Sequence, residues 1–271
     1  MCRFVAYRGK RVPLAEVISA PEHSLIEQSY QPKEMTAGTV NVDGFGVGWY
    51  NRALDPTPCI YTNIVPIWND RNLPGLSRHI VSDCIVANVR SATPGFGLDQ
   101  SNCQPFAYGR LSFMHNGFIE KSRDGLLRKI REALHDEYYR LIRGSTDSEH
   151  IFALLLNFLH GQEQTPQAYA TAIQHTVDQL LAWTRGQAVH MGLNLVLCDG
   201  VHVVALRFAN TSPAPSLYYL CNGADFSDSV VIASEKLSAD PAWQVVPESH
   251  IVTCRNATDV NLIALDGQEA A

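Results

Sequence analysis

Hydrophobic periodicity changes twice along this 271-residue chain, and the order of the changes leaves few architectures open. Up to about residue 120 the apolar residues come in short alternating or continuous runs bounded by turn formers, which is the pattern of strands. Cys2 to Tyr7, with Phe4, Val5 and Ala6 between polar ends, predicts a strand at the very start of the chain. Pro13 to Ile18 predicts a brief helix, and the polar stretch from Pro21 to Gly38 a long irregular loop. Asp43-Gly44-Phe45-Gly46-Val47-Gly48-Trp49-Tyr50 places glycines at alternate positions, so one face of a strand can admit another backbone or a ligand; a glycine-rich hairpin bend is the plainer alternative. Ile85, Val86, Ala87 and Val89 make a buried strand that ends at Arg90, before Ser91-Ala92-Thr93-Pro94-Gly95. A further strand from Arg110 to His115 meets Asn116-Gly117, a dipeptide that by itself reads as a two-residue hairpin turn.

From residue 123 the period becomes helical. Leu126, Leu127, Ile130, Leu134, Tyr138 and Leu141 predict a helix between Arg123 and Arg143 with Gly144 as its C-terminal cap. Thr146-Asp147-Ser148-Glu149 is spaced as a capping box for a second helix, and Thr165-Pro166 starts a third that runs to about Arg185-Gly186. Strands return at Gly192–Cys198 and Val201–Phe208, joined by the turn Asp199-Gly200, and again near residues 217–221, 230–234 and 250–254. Strands, then a helical block, then strands argue for an α+β fold in which two antiparallel sheets carry helices outside. A single domain over residues 2–260 with an exposed tail from 261 to 271 is expected, because no repeat or polar linker interrupts the chain.

With 46% hydrophobic residues the chain can bury a large core, while a net charge of -6 offers no basic field for a nucleic acid. No apolar run of about 18 residues is present to span a bilayer, and the N-terminus lacks the pattern of a secretion signal, so a cytoplasmic protein is expected. The seven cysteines have no C-x-x-C spacing and the histidines no ligand spacing, so neither a disulfide framework, a metal nor another cofactor is indicated.

Position 2 carries the most chemistry. Initiator methionine is normally trimmed when the next side chain is small, and the chain would then begin with a cysteine bearing both a thiol and a free α-amine. An α-amine titrates near ~7.7–8.0, so it can take the thiol proton and serve as general base. The competing reading is a small apolar residue in an edge strand. An amide carbonyl turning tetrahedral needs donors, and Asn116 with its side-chain NH₂ beside the Gly117 N–H can supply two. Arg90 offers a planar fork for a carboxylate, Thr93 a hydroxyl and Asp147 an anion for an ammonium group, against the alternatives of a surface ion pair for Arg90 and helix-dipole placement for Asp147.

Met1-Cys2-Arg3, Asp43 to Trp49, Val89-Arg90-Ser91-Ala92-Thr93, His115-Asn116-Gly117 and Thr146-Asp147-Ser148-Glu149 together resemble the class II glutamine amidotransferases. The resemblance spans at least residues 1–160, and Pro21-Glu22-His23-Ser24-Leu25 with Asp43–Tyr50 resembles in particular the ergothioneine-pathway γ-glutamyl hydrolases. It implies a four-layer αββα N-terminal-nucleophile fold, Cys2 as nucleophile, Asn116 and Gly117 as oxyanion hole, and Arg90, Thr93 and Asp147 holding a glutamyl group. The implied substrate is a small γ-glutamyl compound, γ-glutamyl-hercynylcysteine sulfoxide in that subfamily, cleaved through a thioester. Two positions depart from the pattern: Gln104 stands before Pro105, and Pro94 follows Thr93, where many relatives carry histidine. A glutaminase that feeds ammonia to a separate synthase and a non-catalytic γ-glutamyl-binding protein are the alternatives. The sequence leaves open whether the chain self-associates or needs a partner protein, and substrate choice beyond glutamate is expected from the segment after 200 or the loop from Pro21 to Gly38.

Overall fold

A computed structural model describes residues 1–35, 38–92, 98–211 and 213–266. β1 (Arg3–Pro13) begins where expected and passes directly into α1 (Leu14–Ile18). The segment after Pro21 is not irregular throughout, because Ser24 Oγ accepts a hydrogen bond from the Glu27 N–H and opens α2 (Leu25–Tyr30). Ser24 and Glu27 have the spacing of a helix start, but six residues are too few for helical periodicity to show. Next come β2 (Phe45–Asn51), β3 (Asp55–Asn63), α3 (Leu73–His79), β4 (Val81–Val89) and β5 (Phe106–Tyr108). The glycines of β2 form a strand and no hairpin bend; a Cβ on Gly46 would lie 2.2 Å from the Gln104 carbonyl oxygen, so what approaches that face is another backbone.

β6 (Leu111–Ile119) corrects the hairpin reading of Asn116-Gly117, since the strand runs straight through both residues. Asn116 lies opposite Asn194 and Gly117 opposite Leu193 in β7 (Met191–Cys198). Gly117 has φ +148°, and a Cβ there would sit 2.0 Å from the Gly192 carbonyl oxygen, so the glycine admits a neighbouring strand instead of reversing the chain.

The single helix expected between Arg123 and Arg143 is also corrected. Ser122–Leu126 is a π-type turn in which Gly125 adopts φ 112°, followed by α4 (Leu127–Ala133), extended backbone at Leu134 and His135, and α5 (Asp136–Tyr139). The apolar face survives the breaks: Leu126, Ile130 and Tyr138 remain buried in one cluster. Gly144 caps no helix; its N–H donates to Glu149 Oε2. α6 (Asp147–Phe158) and α7 (Pro166–Thr184) start at Thr146 and Thr165, whose hydroxyls accept from the N–H groups of Glu149 and Ala168. β8 (Val203–Ala209), β9 (Tyr218–Cys221), β10 (Val230–Ala233), β11 (Trp243–Val245), β12 (His250–Asn256) and β13 (Asp259–Ala264) complete the fold. Residues expected in an exposed tail from 261 thus belong, as far as Ala264, to an edge strand paired with β12.

One sheet has the order β11-β9-β10-β1-β4-β2-β3 and the other β13-β12-β8-β7-β6-β5, with every pairing antiparallel. Alternation along β1 sends Phe4 and Ala6 between the sheets and Val5 and Tyr7 outward, under α1 and α2. The face of the second sheet bearing Phe113, Leu193 and Leu206 packs under α4 to α7. The result is the expected αββα sandwich of an α+β fold. Among the described residues no helix is long and apolar enough to cross a membrane.

Candidate active site

Cys2 precedes a central strand, not an edge one: β1 lies between β10 and β4, with Arg3 opposite Val89. That register brings the start of β1 beside Arg90, which directly follows β4. Cys2, 9% exposed, lines a cavity of about 420 Å³ together with Arg90, Gln104, Gly117, Asp147 and Ser148, and its Sγ lies 4.0 Å from the Ser91 carbonyl oxygen. Burial pulls the α-amine of Met1 below its ordinary value.

Arg90 makes no surface ion pair. It is 3% exposed, its Nη1 donates to the Asp43 carbonyl at 3.1 Å, and among the described residues no carboxylate stands within ion-pair distance. Asp43 holds this corner by accepting the Ala92 N–H on its Oδ2 at 2.7 Å and by donating its own N–H to the Arg90 carbonyl. Asp147, in the first turn of α6, is buried as well; its oxygens accept the N–H groups of Ile119 and Ser148, and no cation among the described residues pairs with it. A buried cation and a buried anion, each without a counter-charge among the described residues, therefore line one cavity. Such charges are costly unless a ligand answers them, and an α-amino acid zwitterion carries both complements. Thr93 and Pro94 lie outside the described residues.

Both polar atoms of the Asn116 amide are buried and find no hydrogen-bond partner among the described residues. An unsatisfied buried amide costs about 1–3 kcal/mol, which is tolerable where a substrate oxygen supplies the missing partner. Its neighbour His115 points the other way: Nε2 donates to the Gly192 carbonyl at 3.2 Å, and Nδ1 accepts from the Ser148 hydroxyl at 2.9 Å, the arrangement of a neutral ring. Gln104 brackets the His115 backbone, accepting its N–H and donating to its carbonyl. Burial holds the His115 imidazole below its ordinary value, against the raising influence of Asp147, and burial lowers His150 too. In the folded chain both rings take up a proton only at a lower pH than in the unfolded chain, where each does so below about pH 6.5. The unfolded state then binds more protons, so stability falls as the pH drops through that value. Urea midpoints measured between pH 8 and pH 5 should decline on the acid side; a flat profile would contradict the lowered pKa values of the two rings.

The sequence reading missed Glu235. This carboxylate, 1% exposed in the turn after β10, receives Arg3 Nε at 2.6 Å, His23 Nε2 at 2.8 Å and the N–H groups of Lys33 and Glu34. Burial, the largest single influence, raises its pKa, but the bond to His23, the two backbone donors and the Arg3 charge outweigh it and hold the carboxyl at about 2. Arg3 Nη1 in turn donates to the Cys2 carbonyl at 2.8 Å. One acid thus ties together the start of β1, the segment before α2 and the chain after it. Its sequence signal is a carboxylate beside Lys236 just after an apolar strand, Val230 to Ala233, which does not reveal partners some 200 residues away.

The family model for class II glutamine amidotransferases matches residues 22–227. The chain belongs to the class II glutamine amidotransferases. Saccharomyces cerevisiae has a relative 34% identical, called probable glutamine amidotransferase DUG3, in an alignment covering 95% of this chain and 83% of the yeast protein. A γ-glutamyl-hercynylcysteine sulfoxide hydrolase of Mycolicibacterium smegmatis is 28% identical over 95% of this chain and 97% of its own length. Among solved structures, a glutamine aminotransferase class-II domain protein from Silicibacter pomeroyi superposes with a TM-score of 0.71 at 27% identity, covering 97% of this chain and 99% of that one. This amidotransferase is accordingly an enzyme of amidohydrolase type, and the motifs quoted from its first 160 residues place it in the right family.

Proposed function

We propose that the mature enzyme begins at Cys2 and hydrolyses a γ-glutamyl amide. The observation that carries this reading is the cavity itself, where the Cys2 thiol, the Gly117 backbone and two buried charges of opposite sign, without counter-charges among the described residues, converge, with Asn116 the residue before Gly117. Arg90 receives the α-carboxylate and Asp147 the α-ammonium group of the glutamyl moiety, with Thr93 as a third contact. The α-amine of Cys2 takes the thiol proton, and Sγ attacks the amide carbon while Asn116 and the Gly117 N–H stabilise the oxyanion. Collapse expels the amine with that proton and leaves a thioester, which water cleaves to glutamate and free thiol. The mycobacterial relative's name supports γ-glutamyl-hercynylcysteine sulfoxide, in ergothioneine biosynthesis, or a similar compound as the substrate. The enzyme acts in the cytoplasm as a single domain that extends through β13.

Intact mass before and after treatment with a glutamine-mimicking electrophile, followed by peptide mapping, tests the reading. A chain lacking Met1 and modified once, at Cys2, is the expected result. A retained Met1 with Cys2 unmodified would overturn it, and glutamine turnover that depends on an added synthase would favour the ammonia donor.

A further inference from the structure

A second cavity of about 470 Å³ adjoins the first, and the two share Met1 and Phe118 as lining residues. Met1 therefore stands as a partition. Hydrolysis of the Met1–Cys2 peptide bond frees the α-amine and in the same event removes one of the two residues that stand between the spaces, leaving Phe118. The glutamyl anchors, Arg90 and Asp147, line only the first space. With the glutamyl carbonyl at Cys2 Sγ and its amino-acid end toward those anchors, the amine side of the scissile bond has the second space before it.

That space is sized and charged for more than ammonia. Its walls include Phe118 and His190, whose rings stand 5.4 Å apart at 54°, with Pro215 and Val245 also lining it. The Arg207 guanidinium is taken up by the carbonyls of Ala214, Pro215 and Val246 and lies 3.6 Å from Glu248. The Glu34 carboxylate accepts the Tyr218 hydroxyl at 2.8 Å, and the Lys236 ammonium sits 5.1 Å from the centre of the Tyr218 ring. Lys33, exposed at the rim, has its backbone N–H on Glu235, while its ammonium group finds no partner among the described residues. Of the charged side chains lining the space, Glu34 is held by Tyr218 and Arg207 by three carbonyls and Glu248, so the charge left without a partner among the described residues is that of Lys33.

We infer that the second cavity is the leaving-group site, and that it takes an amine of amino-acid or short-peptide size, with an apolar or aromatic body against Phe118 and His190 and its carboxylate at Lys33. The inference rests on the γ-glutamyl reading above and names the substrate class of that site. Removal of Met1 both exposes the nucleophile and opens the room that its larger substrates need.

Three probes separate the possibilities: glutamine, γ-glutamylphenylalanine, and γ-glutamylphenethylamide, which has the same body without the carboxylate. In the Met1-free enzyme, kcat/KM for γ-glutamylphenylalanine should exceed that for the phenethylamide by about fivefold, the scale of one solvent-accessible ion pair, and Lys33→Met should bring the ratio to near one. A ratio near one in the unaltered enzyme, a ratio unchanged by Lys33→Met, or cleavage of glutamine alone would overturn the leaving-group site while leaving the γ-glutamyl chemistry standing. Release of glutamate from none of the three would instead overturn the chemistry, and the site with it.

Discussion

Cys2→Ala is expected to lower glutamate release by at least about 10⁴-fold, the scale on which loss of an attacking side chain is felt when nucleophile and base act as a unit. The fold should hold, because alanine is smaller than cysteine at this 9% exposed position and the approach of the sulfur to the Ser91 carbonyl, at 4.0 Å, is long. The Arg90 and Asp147 anchors remain, so a γ-glutamyl compound should still bind when followed by calorimetry. Loss of one oxyanion donor costs ~10²–10³-fold in other amide-cleaving enzymes, and Asn116→Ala belongs on that lower scale. Steady-state assays with a γ-glutamyl amide distinguish the two. Activity in Cys2→Ala within tenfold of the unaltered enzyme would refute a Cys2 thioester.

Glu235→Ala should be the most destabilising single truncation near the site. Arg3 is 1% exposed, and without Glu235 its guanidinium keeps only the Cys2 carbonyl as partner among those described above. Breaking one half of a buried ion pair typically costs about 3–5 kcal/mol, which for a chain of this size lowers Tm by roughly 10 °C. The same change frees the Lys33 and Glu34 N–H groups and loosens Arg3, whose Nη1 holds the Cys2 carbonyl, so kcat should fall further than loss of folded protein explains. Glu235→Gln, which keeps an acceptor oxygen and loses the charge, should recover part of the Tm. Because folding holds the Glu235 carboxyl at about 2, below its ordinary 4.5, its contribution is complete above about pH 4.5 and is lost as the pH falls from there toward 2. Melting of Glu235→Ala within about 2 °C of the unaltered protein would show that the acid anchors nothing.

The element order and the local signals were legible in the chain itself. Alternation placed β1, a near-continuous apolar run placed β4, the Thr146 and Thr165 caps placed α6 and α7, and Asp199-Gly200 placed the turn between β7 and β8, because each of these depends on residues within a few positions of one another. Local signals failed where a distant backbone decided the outcome. Asn116-Gly117 has the composition of a turn, yet it stays in β6 because Gly192 on the neighbouring strand lies too close to Gly117 for any side chain. The glycines of β2 mark a close approach in the sequence, but that Gln104 makes the approach is a fact of sheet stacking. The charges tell the same story. Sequence motifs named Cys2, Arg90, Asn116 and Asp147; only the packed sandwich left Arg90 and Asp147 without counter-charges, and the Asn116 amide without partners, among the described residues, since burial depends on what the rest of the chain brings near. Glu235 was invisible for that reason, its partners Arg3 and His23 being joined to it only by the folding of β10 against β1.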